Sequence, residues 1–246
     1  MDLSGVQLGA RFSLATNRLK YCGPSDAEAV LLEAIVTGTG LDAARSALAR
    51  FEALNPYLQV LADLHGRDPF DVDVVEAYWI GNELLDEVPR EAFLRILKGL
   101  RRNGLPPRVA GRLAANIPDG ALPHHMFHVA YVGVGAVTGK VATTLENMDR
   151  CRPSWGRVVR RDASRLRVER SALVLDDGRF ALGPPTERSF EYDARILPDV
   201  APGDTVALHW GWPVLRLSAG RVDRLEAYTR RSLDAAQEGL GRLGVL

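Results

Sequence analysis

The chain is poor in sulfur and has no excess of either charge. Two cysteines in 246 residues cannot build a disulfide framework, so Cys22 and Cys151 are expected as free thiols, each either core filler or a reactive ligand. Lys plus Arg and Asp plus Glu both number 31. That balance leaves no global basic field to hold nucleic acid or an anionic membrane. No apolar run reaches membrane length: the longest, Val129 to Ala142, is about 14 residues and is broken by Thr138 and Lys140, where a span needs about 20. The first residues, MDLSGVQLGARFSLATNRLKYCGP, lack a basic flank followed by an apolar stretch, and the expected location is cytoplasmic. Internal repeats and low-complexity tracts are also missing. What remains is 46% hydrophobic and 25% charged, the composition of a globular protein with a real core and room for one large or two ordinary domains.

Periodicity divides the chain. From Ser25 to about Asn147 the apolar residues recur at helical spacing and the punctuation is that of helix ends. Ser25 with Glu28 reads as a capping box ahead of a helix ending near Gly38 and Gly40. Further helices are expected from Asp42, from Asn55 to Gly66, after Asp73, after Pro89 to Asn103-Gly104, and after Pro107 and Pro123. After Cys151 the runs become β-rich: Val158-Val159, Leu166 to Val168, Ala172 to Leu175, Arg179 to Leu182 after an Asp177-Gly178 hairpin turn, Phe190 with Tyr192, Val206 to His209, and Val214 to Leu217. A helix from about Val222 to Leu240 closes the chain. The expected fold class is α+β and multidomain. An all-α orthogonal bundle over residues 1–147 precedes a small OB-like β-barrel, closed or partly open, with a C-terminal helix over residues 148–246, since closure removes sheet edges.

Several clusters bear on chemistry. Gly133, Gly135 and Gly139-Lys140 fail as a phosphate loop, because Val134 and Val141 stand where a Walker loop needs Gly and Ser or Thr. Their small size fits close packing. Pro123-His124-His125-Met126-Phe127-His128 is the densest histidine cluster. On a helix His124 and His128 share a face, and two neutral imidazoles so placed can bind zinc or iron. The plainer reading is that these histidines hydrogen-bond at a helix start and contact the partner domain. A metal-dependent enzyme built on His124, His125 and His128 is one alternative function. Cys22, in Tyr21-Cys22-Gly23-Pro24, reads as a buried thiol at the mouth of the bundle. Glu76 to Asn82 combines aromatics with a polar pair, as a groove lining or as core.

The strongest pattern lies in the β-rich half. Cys151-Arg152-Pro153-Ser154-Trp155-Gly156-Arg157-Val158 resembles the opening strand of the HypC/HupF family of hydrogenase assembly chaperones, which begin with cysteine, a short apolar stretch and Pro-Gly-Lys/Arg-Val. Some 50 residues on, Leu197-Pro198-Asp199-Val200-Ala201-Pro202-Gly203-Asp204-Thr205-Val206-Ala207-Leu208-His209-Trp210-Gly211-Trp212 resembles that family's second motif. The resemblance covers Cys151 to about Leu240. It implies a transiently held iron carrying cyanide and carbonyl ligands, with Cys151 and His209 as its metal and cofactor residues. Trp155, Gly156, Trp210 and Trp212 would meet a partner, either a HypD-like scaffold or the large subunit of a nickel–iron (NiFe) hydrogenase. The implied function is hydrogenase maturation. Thiolate is the soft ligand such an iron prefers, and Arg150 and Arg152 are expected to favour the deprotonated sulfur. Two positions depart from the pattern. Cys151 is internal, so its nitrogen is an amide where the family has a free amine, and Trp155 stands at the family's proline. An OB-type nucleic-acid-binding module, using Trp155, Trp210 and Trp212 beside Arg157, Arg160 and Arg161, is the other alternative, against which the modest charge argues.

Overall fold

The computed structural model describes residues 3–243, and they form an α+β protein. The helical half runs α1 (Gly5–Arg18), α2 (Ala27–Thr37), α3 (Leu41–Leu48), α4 (Leu54–His65), α5 (Val72–Trp79), α6 (Arg90–Arg102) and α7 (Pro107–Ala115). Next come a single turn, α8 (His125–Phe127), which continues as a π-helical turn over His128–Gly133, and α9 (Leu145–Cys151). Most helix ends are where their local chemistry puts them. Gly38 and Gly66 close α2 and α4 in the left-handed conformation that lacks a penalty only for glycine. Pro107 starts α7 with its fixed φ.

Two helix starts differ from expectation. The predicted box at Ser25 makes no capping bond, and Asp26 precedes α2 without one. The molecule's full capping box is instead at Ser4 and Gln7, where each side chain accepts from the other's backbone N–H. It opens α1, a helix the apolar spacing did not announce. Ser13, Thr16 and Asn17 are buried along it beside Leu8, Phe12 and Leu14, so α1 is a central helix whose polar stripe is reduced to the half-buried Gln7, Arg11 and Arg18.

The second half is β1 (Ser154–Arg161), β2 (Arg165–Asp176), β3 (Arg179–Glu191), β4 (Thr205–His209), β5 (Trp212–Leu217) and the long α10 (Ala219–Arg242). All strand pairs are antiparallel, in the order β3-β2-β1-β4-β5. The runs expected as separate short strands around Leu166 and Ala172 are one strand, β2, which continues through an irregularity between Ser171 and Leu173. Asp177 and Gly178 both have positive φ, 47° and 75°, as the two-residue hairpin turn requires.

Of the two forms expected, the closed barrel is ruled out, because the sheet is not closed: β3 and β5 are its edges and do not pair with each other. Helix α10 packs against β1, β3 and β5, so a helix provides the cover that strand closure would otherwise provide.

The two halves share one apolar core. Arg11 of α1 donates to the carbonyls of Ile196 at 2.8 Å and Val214 at 3.2 Å. Glu76 of α5 pairs with Arg221 and Arg224 of α10. The expected boundary near Asn147 falls inside α9, which carries Cys151 at its last position.

Candidate metal centre

Three elements from distant parts of the chain deliver one ligand atom each. Cys151 ends α9, His209 ends β4, and His125 begins α8. Cys151 Sγ lies 3.6 Å from His125 Nε2 and 4.0 Å from His209 Nε2, and the three atoms are all within 4.8 Å of one another. A tetrahedral centre with metal–sulfur near 2.3 Å and metal–nitrogen near 2.0–2.1 Å sets sulfur and nitrogen about 3.6 Å apart. The two sulfur–nitrogen spacings meet that requirement within a few tenths of an ångström.

The outer partners of the two imidazoles orient them. His209 Nδ1 is 2.6 Å from the carbonyl oxygen of Phe12 on α1. A carbonyl only accepts, so Nδ1 carries the proton and Nε2 presents its lone pair toward the sulfur. His125 Nδ1 lies 2.7 Å from the hydroxyl of Tyr78, a group able to serve either tautomer. Burial holds His209 neutral, lowering its pKa to about 4, and lowers that of His125 well below the usual imidazole range.

The arginines flanking Cys151 do not act as expected. Arg152 is turned to Asp149, at 3.0 Å, and to the carbonyl of Ser171, and Arg150 lies over the Trp210 ring. Burial raises the Cys151 pKa far above the ordinary thiol range. A thiol with two neutral imidazoles is therefore the resting set, and a divalent cation is the charge that would displace its proton.

These residues form the floor of a cavity of about 60 Å³. Its walls include Ser13, Thr16, Trp79, His128 and Trp210, and partly exposed Cys22, Thr138 and Val141 belong to its rim. Gly133, Gly135 and Gly139 all have positive φ in the loop that makes one side of this rim. A Cβ at Gly135 would sit 1.9 Å from the Val141 carbonyl oxygen, so that loop folds tightly on itself only with glycine there. Lys140 from the same loop pairs with Glu52 at 3.7 Å.

The other histidines are placed differently from expectation. His124 precedes the helix in extended conformation, its Nδ1 accepting from the Met126 N–H and facing Ser232 of α10. It therefore does not share a helix face with His128. The pair that does is His125 and His128, whose rings stack at 5.8 Å. His128 Nδ1 is bonded to the Tyr57 hydroxyl at 3.0 Å.

The residues expected to meet a partner fall in two separate surface grooves, Trp155 with Gly156 in one and Trp210 with Trp212 in the other. Trp210 is buried against Tyr21 and adopts φ of 53° in the tight turn with Gly211. Gly156 is buried where a Cβ would lie 2.6 Å from the Glu169 carbonyl, a demand of strand packing. Trp155 and Trp212 are half-buried and line separate surface grooves.

The fold and site define an α+β protein with a buried two-histidine, one-cysteine pocket spanning its helical and β-rich halves. The chain belongs to DUF6390, a family of unknown function, which it matches over residues 1–242. No curated protein and no solved structure matches it. No helix among the described residues is long and apolar enough to cross a membrane.

Proposed function

We propose that this protein is an accessory factor in NiFe-hydrogenase maturation that carries an iron fragment as cargo at Cys151 and His209, with His125 as a third ligand. The carrying observation is the meeting of Cys151 Sγ and His209 Nε2 at 4.0 Å, because the two motifs that resemble hydrogenase chaperones contribute one of these residues each. A thiolate with two imidazoles suits a soft or borderline transition metal and leaves a coordination position open. The cargo reading, with its cyanide and carbonyl ligands, scaffold and large-subunit partners, rests on the motifs. So does the OB-like reading of the sheet, which the strand order β3-β2-β1-β4-β5 supports as that of a five-stranded barrel parted between β3 and β5.

In this reading the chain's own groups perform three tasks. The Phe12 carbonyl fixes the His209 tautomer, burial keeps both imidazoles neutral, and the walls exclude bulk water from the cargo. Protein isolated without oxygen alongside the maturation machinery is expected to carry iron with infrared bands of cyanide and carbonyl, and Cys151→Ala to abolish them. Wild-type protein with no such bands that captures no hydrogenase component refutes the proposal. A resident-metal enzyme centred on the histidines is the competing reading. It requires stoichiometric zinc or iron that survives Cys151→Ala and is lost in His128→Ala.

A further inference from the structure

Two residues that line this cavity each carry a buried polar atom with no partner. Ser13 Oγ and Trp79 Nε1 are both buried, at 1% and 3% exposure, and neither makes a hydrogen bond. Both residues line the same cavity as Cys151, His125 and His209. Trp79 lies against both imidazoles, its ring 4.4 Å from that of His125 and 5.0 Å from that of His209. Ser13 follows Phe12, whose carbonyl holds His209. A buried donor left unpaired costs the desolvation of that group, and native proteins keep few of them. Each needs an explanation, and here the two belong to the walls of one cavity.

We infer that Ser13 and Trp79 donate hydrogen bonds to a small anion bound at the open position of the metal, so that the cavity recognises a metal together with its anionic ligand. The class of ligand follows from the groups. An indole N–H only donates and a serine hydroxyl can donate, so their common partner is an acceptor. The cavity's volume of about 60 Å³ admits a few water-sized groups, which limits the ligand to a species such as cyanide, azide or hydroxide. The neutral imidazoles bring no charge, so a divalent cation and one thiolate leave a net positive centre that an anion completes. The inference rests on the metal reading above and adds two positioning residues that neither motif contains.

The test uses cobalt(II) as metal and azide as anion on the whole protein. Ser13→Ala removes one hydroxyl that has no protein partner. Trp79→Phe keeps an aromatic ring stacked on Phe12, where the native rings are 4.7 Å apart, and removes the N–H. Cobalt per chain is measured for each protein by its visible absorption, and azide affinity is expressed per bound cobalt. Each variant is expected to bind azide roughly ten- to 100-fold more weakly than wild type, the loss for one hydrogen bond to a charged acceptor. Azide affinity unchanged in both variants, with cobalt bound, overturns the inference and leaves the metal reading standing. Wild-type protein that takes up no cobalt overturns both.

Discussion

The floor and the rim of the cavity each carry a cysteine, and the two thiols have opposite surroundings. At the floor Cys151 faces the nitrogens of His125 and His209, neutral bases that offer lone pairs to a cation. At the rim Cys22 donates to Glu52 Oε2 at 3.2 Å, and the same oxygen accepts from the Gly23 N–H at 2.7 Å. The Gly23 N–H and the Cys22 thiol help hold the Glu52 carboxyl in its charged form, and that charge in turn holds the proton on Cys22. One residue type thus has two fates. Neutral partners make a thiol a ligand in waiting, whereas an anionic partner makes it a fixed donor that closes a loop.

The contrast breaks most directly by deleting each sulfur. Cys151→Ala is expected to weaken cobalt(II) or zinc(II) uptake by at least about 100-fold, since it removes the one anionic ligand. Cys22→Ala should leave affinity within about threefold, as expected for a site outside the coordination set. Equal losses measured by competition titration would erase the distinction between floor and rim.

The next effect concerns protons. His128 and His209 have pKa values lowered to about 4 by burial, below the unfolded value of about 6.5. The unfolded chain therefore binds more protons than the folded one between these values. The stabilisation from keeping these rings neutral is whole above pH ~6.5 and is lost as pH falls toward the folded values. Between pH 7 and 5 each such ring is expected to cost on the order of 2 kcal/mol of stability in the metal-free protein. Denaturant unfolding at the two pH values tests this, and His128→Gln should remove part of the acid loss. A metal-free protein equally stable at both would mean that burial does not keep these rings neutral.

How much of this centre was legible follows from where each residue sits. Cys151 and His209, 58 positions apart in the chain, stood out because each lies in a motif of recognisable order. His125 was legible only as one of a cluster. The capping role of His124 delays the helix by one residue, so the face predicted to hold His124 and His128 holds His125 and His128 instead. Helix α1 escaped notice because its buried face includes Gly9, Ser13, Thr16 and Asn17, and small polar residues carry no apolar periodicity. The Ser4–Gln7 box was its one local signal. With α1 went the Phe12 carbonyl and Ser13, contributions of backbone and of an unremarkable serine that no motif marks. The barrel prediction followed from the need to protect sheet edges. It did not foresee that α10, itself anticipated, would supply the protection.

A smaller effect tests how the floor is held. Tyr78→Phe removes the hydroxyl 2.7 Å from His125 Nδ1 while keeping the ring, which stands edge-on to the Trp79 ring at 4.9 Å. Metal affinity is expected to fall about tenfold, the usual cost of an outer-shell partner. The same change should leave Cys22 alkylation untouched, because Tyr78 makes no bond to it.

The smallest effect isolates the rim. Burial is the larger reason that the Cys22 pKa is pushed up to about 12, with the Glu52 charge second. Glu52→Gln removes the charge and leaves the burial, so it should lower that pKa only in part and raise the rate of Cys22 alkylation at pH 8 by a few-fold, roughly three to ten. Burial, which the substitution leaves in place, caps the gain. A rate increase confined to Cys22, read by mass spectrometry of the two cysteine-containing peptides, would show that the rim thiol is restrained by its carboxylate. An equal increase at Cys151 would mean that opening the rim simply exposes the whole cavity, and that floor and rim share one environment after all.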